Sequence, residues 1–219
     1  MAVEYIRQAR LLQMHRDWSN CFKCPLASLR TKVVMGKGSI DSQIMLIGEA
    51  PGLKEDQDGI PFVPEASAGE LLNKILASVG LIRSDLWITN VCLCRPVSTE
   101  EGRENRAPAT DEILACKPRL LEEIDIIRPR IIVLCGNTPL FWATGLKGIK
   151  KHRGKLSVTI KSPSYEVKSV FATYHPAALF HGSHDDIVEK KWAVFRDWQL
   201  IAKEAKIDHQ QSQKQDQVE

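Results

Sequence analysis

Short apolar runs recur along the chain, and four of them end in an unusual peptide. Gln43–Ile47, Leu86–Leu93 and Arg130–Cys135 read as strands, apolar on both faces, while Leu156–Ile160 and Val167–Thr173 read as a hairpin or as two separate strands. A strand apolar on both faces has to be covered on both sides, which is the situation of a parallel sheet between helical layers. Helical patterns fill the gaps. Residues 1–20 carry Tyr5, Ile6, Leu11, Leu12 and Met14, and Ala68–Val79 repeats Leu71, Leu72, Ile75, Leu76 and Val79 before Gly80. Thr110 is placed to cap a helix running to about Ile127, with Pro129 after its end. Thr138–Ala143 reads as a short helix, and Asp185–Ala205 as a long one with Val188, Trp192, Phe195 and Trp198 on its buried side. The expected fold is α/β: three layers, α/β/α, around a central, mostly parallel sheet. One domain is expected over 1–205. The polar tail 206–219 reads as disordered.

The strand ends matter because ligands of such folds bind beyond the carboxyl ends of the strands. Here those ends are Gly48-Glu49-Ala50-Pro51-Gly52, Thr89-Asn90, Gly136-Asn137 and His175-Pro176. Any one alone would be a turn. Four at corresponding positions predict the lip of a single site.

The chain has 219 residues, a net charge of +3 and six cysteines. The charge permits a nucleic-acid partner without arguing for one. No apolar run has transmembrane length, and no basic-plus-apolar leader opens the sequence, so an intracellular protein with no membrane partner is expected. In a reducing compartment six cysteines are not a disulfide framework, which leaves buried thiols or a metal site. Cys21 and Cys24 form C-x-x-C. Cys94 lies where a strand gives way to a loop at Arg95-Pro96, and Cys116 lies in a helix. These four thiols from separate parts of the chain are the candidate ligand set. They suit a [4Fe–4S] cluster or a structural zinc, and spacing does not choose between the two. Cys92 and Cys135 sit within apolar strand sequence and read as buried thiols.

The motifs together resemble the iron–sulfur branch (family four) of the uracil-DNA glycosylase superfamily. The matching stretches are GEAPGLKEDQDGIPFV (48–63), AGELLNKIL (68–76), ITNVCLCRP (88–96), NRAPATDEILACKP (105–118), IIVLCGNTPL (131–140), GIKKHRG (148–154) and YHPAALF (174–180). They span most of residues 20–180, in the family's order. The resemblance implies an α/β/α fold, a [4Fe–4S] cluster in place of zinc, and hydrolytic removal of uracil from DNA to leave an abasic site. A monomer acting on uracil-containing DNA, in a prokaryotic cytoplasm and at the nucleoid, goes with it.

Each role that the resemblance implies has a physical requirement behind it. An extruded uracil must be told from cytosine, whose donor and acceptor at N3 and C4 are reversed. A fixed side-chain amide does this, and Asn90 matches the family's reader. Asn137 reads as a turn residue. A flipped base needs an aromatic face, for which Phe62 is the candidate. Glu55 takes the position that excludes thymine. His175 would stabilise negative charge developing on uracil O2, and Glu49 would order water or oppose the sugar cation. Ala50 and Gly52 would bring backbone close to base and sugar. Leu179, four residues after His175, reads either as a wedge that replaces the flipped base or as a core leucine. Phosphate contacts fall on the basic run 147–155, with Lys151 and Arg153, and on Lys117 and Arg119.

Several positions depart from the family pattern. Ala50 stands where another branch has a water-positioning aspartate. The acidic loop Val97–Glu104 is long, PFVPEASAG carries extra residues, and Phe180-His181 replaces a common Leu-Arg. These departures motivate one alternative, an iron–sulfur nucleic-acid-binding protein without the chemistry. A dinucleotide-binding redox enzyme is a weaker alternative, because GEAPG lacks G-x-G-x-x-G spacing.

Overall fold

The computed structural model describes residues 2–98 and 104–215, with side chains over 4–98 and 104–206. In chain order the elements are α1 (Ala2–Ser19), β1 (Ile44–Gly48), α2 (Leu53–Asp58), α3 (Ser67–Ser78), β2 (Leu86–Asn90), α4 (Thr110–Ile127) and β3 (Ile131–Cys135). There follow α5 (Asn137–Thr144), α6 (Ile149–His152), β4 (Gly154–Leu156), β5 (Ile160–Lys161), β6 (Glu166–Val167), β7 (Ser169–Thr173) and α7 (His184–Gln215). The main sheet has the order β2-β1-β3-β7-β4. Its first four strands are parallel and β4 is antiparallel to β7, so the three-layer, mostly parallel sheet expected from the sequence is present. The choice left open for 156–173 resolves into a separate small β5–β6 hairpin, with β4 and β7 as neighbours in the main sheet.

β1, β2 and β3 are buried along their whole length, as their apolar runs require, although β2 stands at the edge of the sheet. Ile44, Met45, Leu46 and Ile47 are among the most enclosed side chains, each stabilising the fold by about 1.5–3 kcal/mol relative to exposure. β2 stops at Asn90, short of Leu93. Beyond it the chain still donates, from Val91 N to Gly48 O at 2.9 Å and from Cys92 N to Glu49 O at 3.1 Å. The loops leaving β1 and β2 are thereby laced together just above the sheet. The loop after β1 also contains a short helix, α2, which its glycines and prolines had masked in the sequence.

Two helix faces differ from expectation. On α1 the buried members are Leu11, Met14 and Trp18, while Tyr5, Ile6 and Leu12 are exposed. On α7 the buried stripe is Val194, Asp197, Trp198, Ile201 and Ala202, and Trp192 is 57% exposed. A charged residue at the centre of the buried stripe rotates the helix away from the purely apolar reading. The helix also continues past Ala205 to Gln215, into the tail expected to be disordered, and 216–219 lie outside the described residues. Residues 99–103 of the long acidic loop lie outside them too. Among the described residues no helix is long and apolar enough to cross a membrane.

Candidate active site

Parallel register brings the four strand ends to one edge of the sheet: Gly48 lies opposite Asn90, and Cys135 opposite Thr173. A cavity of about 520 Å³ opens there, walled by Glu49–Glu55, Phe62, Gly136, Asn137, Tyr174 and His175. Pro96, Asn105 and Arg106 complete its rim. These three come from the segment after Cys94, which the sequence reading did not assign to the site. Arg106 is held by paired bonds to Glu112 at 2.6 and 2.7 Å. Asn105 accepts from Arg95 Nε at 2.6 Å.

Asn90 is buried, and among the described residues its Nδ2 has no hydrogen-bond partner. A Cβ on Gly48 would stand 2.3 Å from Asn90 Oδ1 and 2.6 Å from the Phe62 ring. Glycine at 48 is therefore what lets the amide and the ring pack side by side. Phe62 has φ of +50°, a left-handed conformation that a bulky residue rarely adopts. Glu55 holds it there: one carboxylate oxygen accepts from Gly52 N at 2.6 Å and the other from Phe62 N. Burial pushes the Glu55 carboxyl up, and the two amides and the Arg83 guanidinium pull it back. Arg83, which the sequence did not single out, also donates to Pro61 O at 2.5 Å.

The His175 ring lies 5.1 Å from that of Phe62, with 32° between the planes. Its Nδ1 accepts from Ala177 N at 3.2 Å, through the tight turn that Pro176 begins. Burial lowers its pKa to about 4, so the ring is neutral near pH 7. Glu49 accepts from Thr138 Oγ1, a bond from the first turn of α5. Asn137, read as a turn residue, instead opens α5, and its Oδ1 accepts from Ile149 N at 2.8 Å while the residue lines the cavity wall.

The sequence model of the uracil DNA glycosylase superfamily matches residues 35–199, which hold every cavity residue named above. The chain belongs to this superfamily. Among its relatives, the Type-4 uracil-DNA glycosylase of Saccharolobus solfataricus is 43% identical over 167 residues, covering 74% of this chain and 73% of that protein. That of Sulfurisphaera tokodaii is 40% identical over 197 residues, covering 87% and 85%. That of Thermotoga maritima is 37% identical over 185 residues, covering 84% and 90%.

Superfamily membership does not bring every expected residue to the cavity. Leu179 is only 2% exposed, and lines a groove with Leu71, Ile75 and Phe195. The core reading is the one this conformation realises, because the short helix Pro176–Phe180 lies against α3 and α7. Its outward apolar side chain is Phe180, 50% exposed. Arg153 turns inward and donates from Nη1 to Asp197 at 2.6 Å, which ties it to α7 in place of an open position facing phosphate. Arg119 is fully buried and does not reach solvent. Lys151 is exposed on α6, whose Ile149 touches the cavity.

The four candidate thiols approach one another from three segments. Burial pushes the Cys24 thiol up, and the neighbouring Cys116 and Cys21 push it further. Burial raises Cys94 to about 12, with Cys116 and Cys24 acting in the same direction. Arg30 donates to Cys21 O at 2.5 Å and lies 3.7 Å from Cys94 Sγ. Among the described residues no three His, Cys, Asp or Glu side chains stand as a formed metal-binding group. Cys92 is buried against Cys116, whereas Cys135 donates to Tyr174 O at 3.5 Å on the cavity wall.

Proposed function

We propose that the protein is a uracil-DNA glycosylase of base excision repair, hydrolysing the N-glycosidic bond of deoxyuridine in DNA and leaving an abasic site. The observation that carries this reading is the buried Asn90 amide, with Nδ2 free of any partner among the described residues, packed with the cavity-lining Phe62 ring over Gly48, just behind the cavity wall. A buried polar group without a partner is costly, at roughly 1–3 kcal/mol, unless a ligand completes it. Uracil does so: O4 accepts from Nδ2 while N3–H donates to Oδ1. Cytosine presents the reverse pair, and a site built this way rejects it by roughly 10⁴-fold or more.

Phe62 supplies the face against which the extruded base stacks. As the glycosidic bond stretches, charge leaves the sugar and gathers on the uracil ring. His175, neutral and accepting at Nδ1, carries its proton on Nε2 and donates it as a hydrogen bond to O2. Glu49, fixed by Thr138, opposes the positive sugar and orders the attacking water. Glu55 keeps Phe62 in its strained conformation and thereby narrows the pocket where the 5-methyl of thymine would lie. Exposed Lys147, Lys150 and Lys151 flank the mouth for phosphate.

Cys21, Cys24, Cys94 and Cys116 would hold a [4Fe–4S] cluster. Four sulfur donors with no carboxylate among them suit iron–sulfur or zinc and not a hard cation. The Arg30 guanidinium beside Cys94 offsets the negative charge that four thiolates would bring. Such a cluster would supply structure, tying the segment after α1 to α4 and to the loop leaving β2.

Incubation with a uracil-containing duplex, followed by alkali, tests the reading. Strand scission at uracil, abolished in His175→Ala, is expected. Retained binding without scission in the unmodified protein would refute it.

A further inference from the structure

Two clusters of the same kind, a threonine, a carboxylate and an arginine, lie under the two strand ends that lead to Asn90 and His175; the first is fully buried, and in the second only Arg153 keeps partial exposure. At the end of β2, Thr89 Oγ1 donates to Glu123 Oε2 at 2.9 Å, and Arg119 Nη1 donates to the same oxygen at 2.5 Å. Arg119 Nη1 also reaches Thr89 Oγ1 at 3.1 Å, which closes a triangle. Its Nη2 donates to the carbonyls of Asn90 at 2.6 Å and Val91 at 2.9 Å. At the end of β7, Thr173 Oγ1 donates to Asp197 Oδ2 at 2.9 Å, and Arg153 Nη1 donates to Asp197 Oδ1 at 2.6 Å. Thr89 immediately precedes Asn90, and Thr173 stands two residues before His175. Each cluster joins a strand end to the helix beside it, α4 in one case and α7 in the other.

We infer that these are positioning clamps, one for each half of the chemistry: Thr89–Glu123–Arg119 sets the Asn90 amide, and Thr173–Asp197–Arg153 sets the His175 imidazole. The inference rests on the glycosylase roles proposed for those two residues. Successive strand side chains point to opposite faces, so Thr89, anchored on one side, fixes the backbone from which Asn90 projects; Thr173 is the last residue of β7, and anchoring it fixes the point from which the chain leaves the sheet toward His175. In the β2 clamp the guanidinium also grips the Asn90 carbonyl itself. Stability alone is a poor account of either cluster, because apolar packing of equal volume generally serves a buried ion pair's place as well or better. What a threonine, a carboxylate and an arginine supply in addition is direction. A catalytic group displaced by about 1 Å loses on the order of a hundredfold in rate.

Thr89→Val and Thr173→Val remove one hydroxyl each and keep the shape. Thr173→Val is expected to lower kcat on uracil-containing DNA about ten- to a hundredfold while inhibition by free uracil, whose O2 carries no developing charge, weakens far less. Thr89→Val is expected to weaken inhibition by free uracil about tenfold or more. The serine variants restore both. Nitrogen NMR of the labelled, uracil-free protein gives a readout that needs no turnover. Thr173→Val should move the His175 ring signals and leave the Asn90 side-chain amide in place, and Thr89→Val should do the reverse. If a valine variant does not fold, Arg153→Lys or Arg119→Lys carries the same comparison, since a lysine keeps the charge and loses the fork. Equal losses of kcat and uracil affinity in both variants, unchanged values, or unmoved NMR signals would overturn the clamps. An unmodified protein that leaves uracil in place would instead defeat the glycosylase reading, and the NMR comparison would still decide the clamps.

Discussion

His175 Nδ1 accepts the Ala177 N–H at 3.2 Å, and that bond decides which ring nitrogen carries the proton. A neutral imidazole accepting at one nitrogen has its N–H at the other, so Nε2 is the donor available to the cavity. The turn that makes this bond exists because Pro176 follows directly, fixing the backbone at the first position of the short helix.

The pH dependence follows from burial. Burial brings His175 to about 4 in the folded chain against about 6.5 for a free imidazole, so the unfolded chain binds more protons between those limits. The contribution of this group is therefore complete above pH 6.5 and is lost as pH falls through 4, by an amount on the order of 3 kcal/mol. Urea titrations at several pH values should show that slope, and His175→Gln should flatten it. Excision by the unmodified protein should show no inflection near pH 6.5 attributable to this ring.

Asn90→Asp replaces the Nδ2 donor with an oxygen acceptor and leaves the volume almost unchanged. Uracil O4 then faces another acceptor, and excision should fall by roughly 10³-fold or more. The cytosine amino group gains a partner from the same change. Competing uracil- and cytosine-containing oligonucleotides measure the shift directly, and a variant that excises uracil at the unmodified rate would remove Asn90 from the site.

Much of this site was legible because it lies where a parallel sheet must place it. Asn90 and His175 each follow an apolar run, and the runs alone predict a shared edge. The supporting residues were hidden for a physical reason. Arg119 and Glu123 stand four apart on a helix, which reads as a solvated ion pair, and their burial depends on Thr89 thirty residues earlier in the chain. Asp197 on α7 is hidden in the same way, since a lone acid inside a helical stripe marks the exposed side unless a threonine waits across the layer. Glu55 was legible only through resemblance, because its partners are backbone amides that carry no sequence signature.

Glu55→Gln tests how Phe62 is held. The glutamine can accept at one oxygen but presents an NH₂ to the other backbone amide, so one of the two N–H groups loses its partner. The cost should be about 1–3 kcal/mol in stability. Phe62 is then released from its positive-φ backbone, and KM for uracil-containing DNA should rise more than kcat falls. Thermal melting and steady-state kinetics on the same preparation check both parts.

Cys135 stands apart from the candidate ligand set, whereas Cys92 lies against Cys116. On the proposed cluster, serine at Cys21, Cys24, Cys94 or Cys116 should abolish bound iron and broad visible absorbance, and lower the melting temperature. Cys135→Ala should keep both iron and colour, since that thiol lies on the cavity wall against Tyr174 O. Iron analysis and absorbance of protein prepared without oxygen give the answer. A colourless preparation carrying zinc would replace iron–sulfur with a structural zinc site.

Leu179 and Phe180 are adjacent, yet the first is enclosed and the second half exposed. Leu179 is enclosed between α3 and α7, so Leu179→Ala opens a cavity there and should destabilise the protein by about 2–5 kcal/mol. Phe180 is half exposed on the same short helix, so Phe180→Ala should change stability by no more than about 0.5 kcal/mol. If Phe180 is the side chain that meets the duplex, its removal weakens binding to uracil-containing double strands and spares single strands, which have no stack to open. Leu179→Ala with unchanged stability would show that the leucine leaves its groove readily, and would return the wedge to position 179.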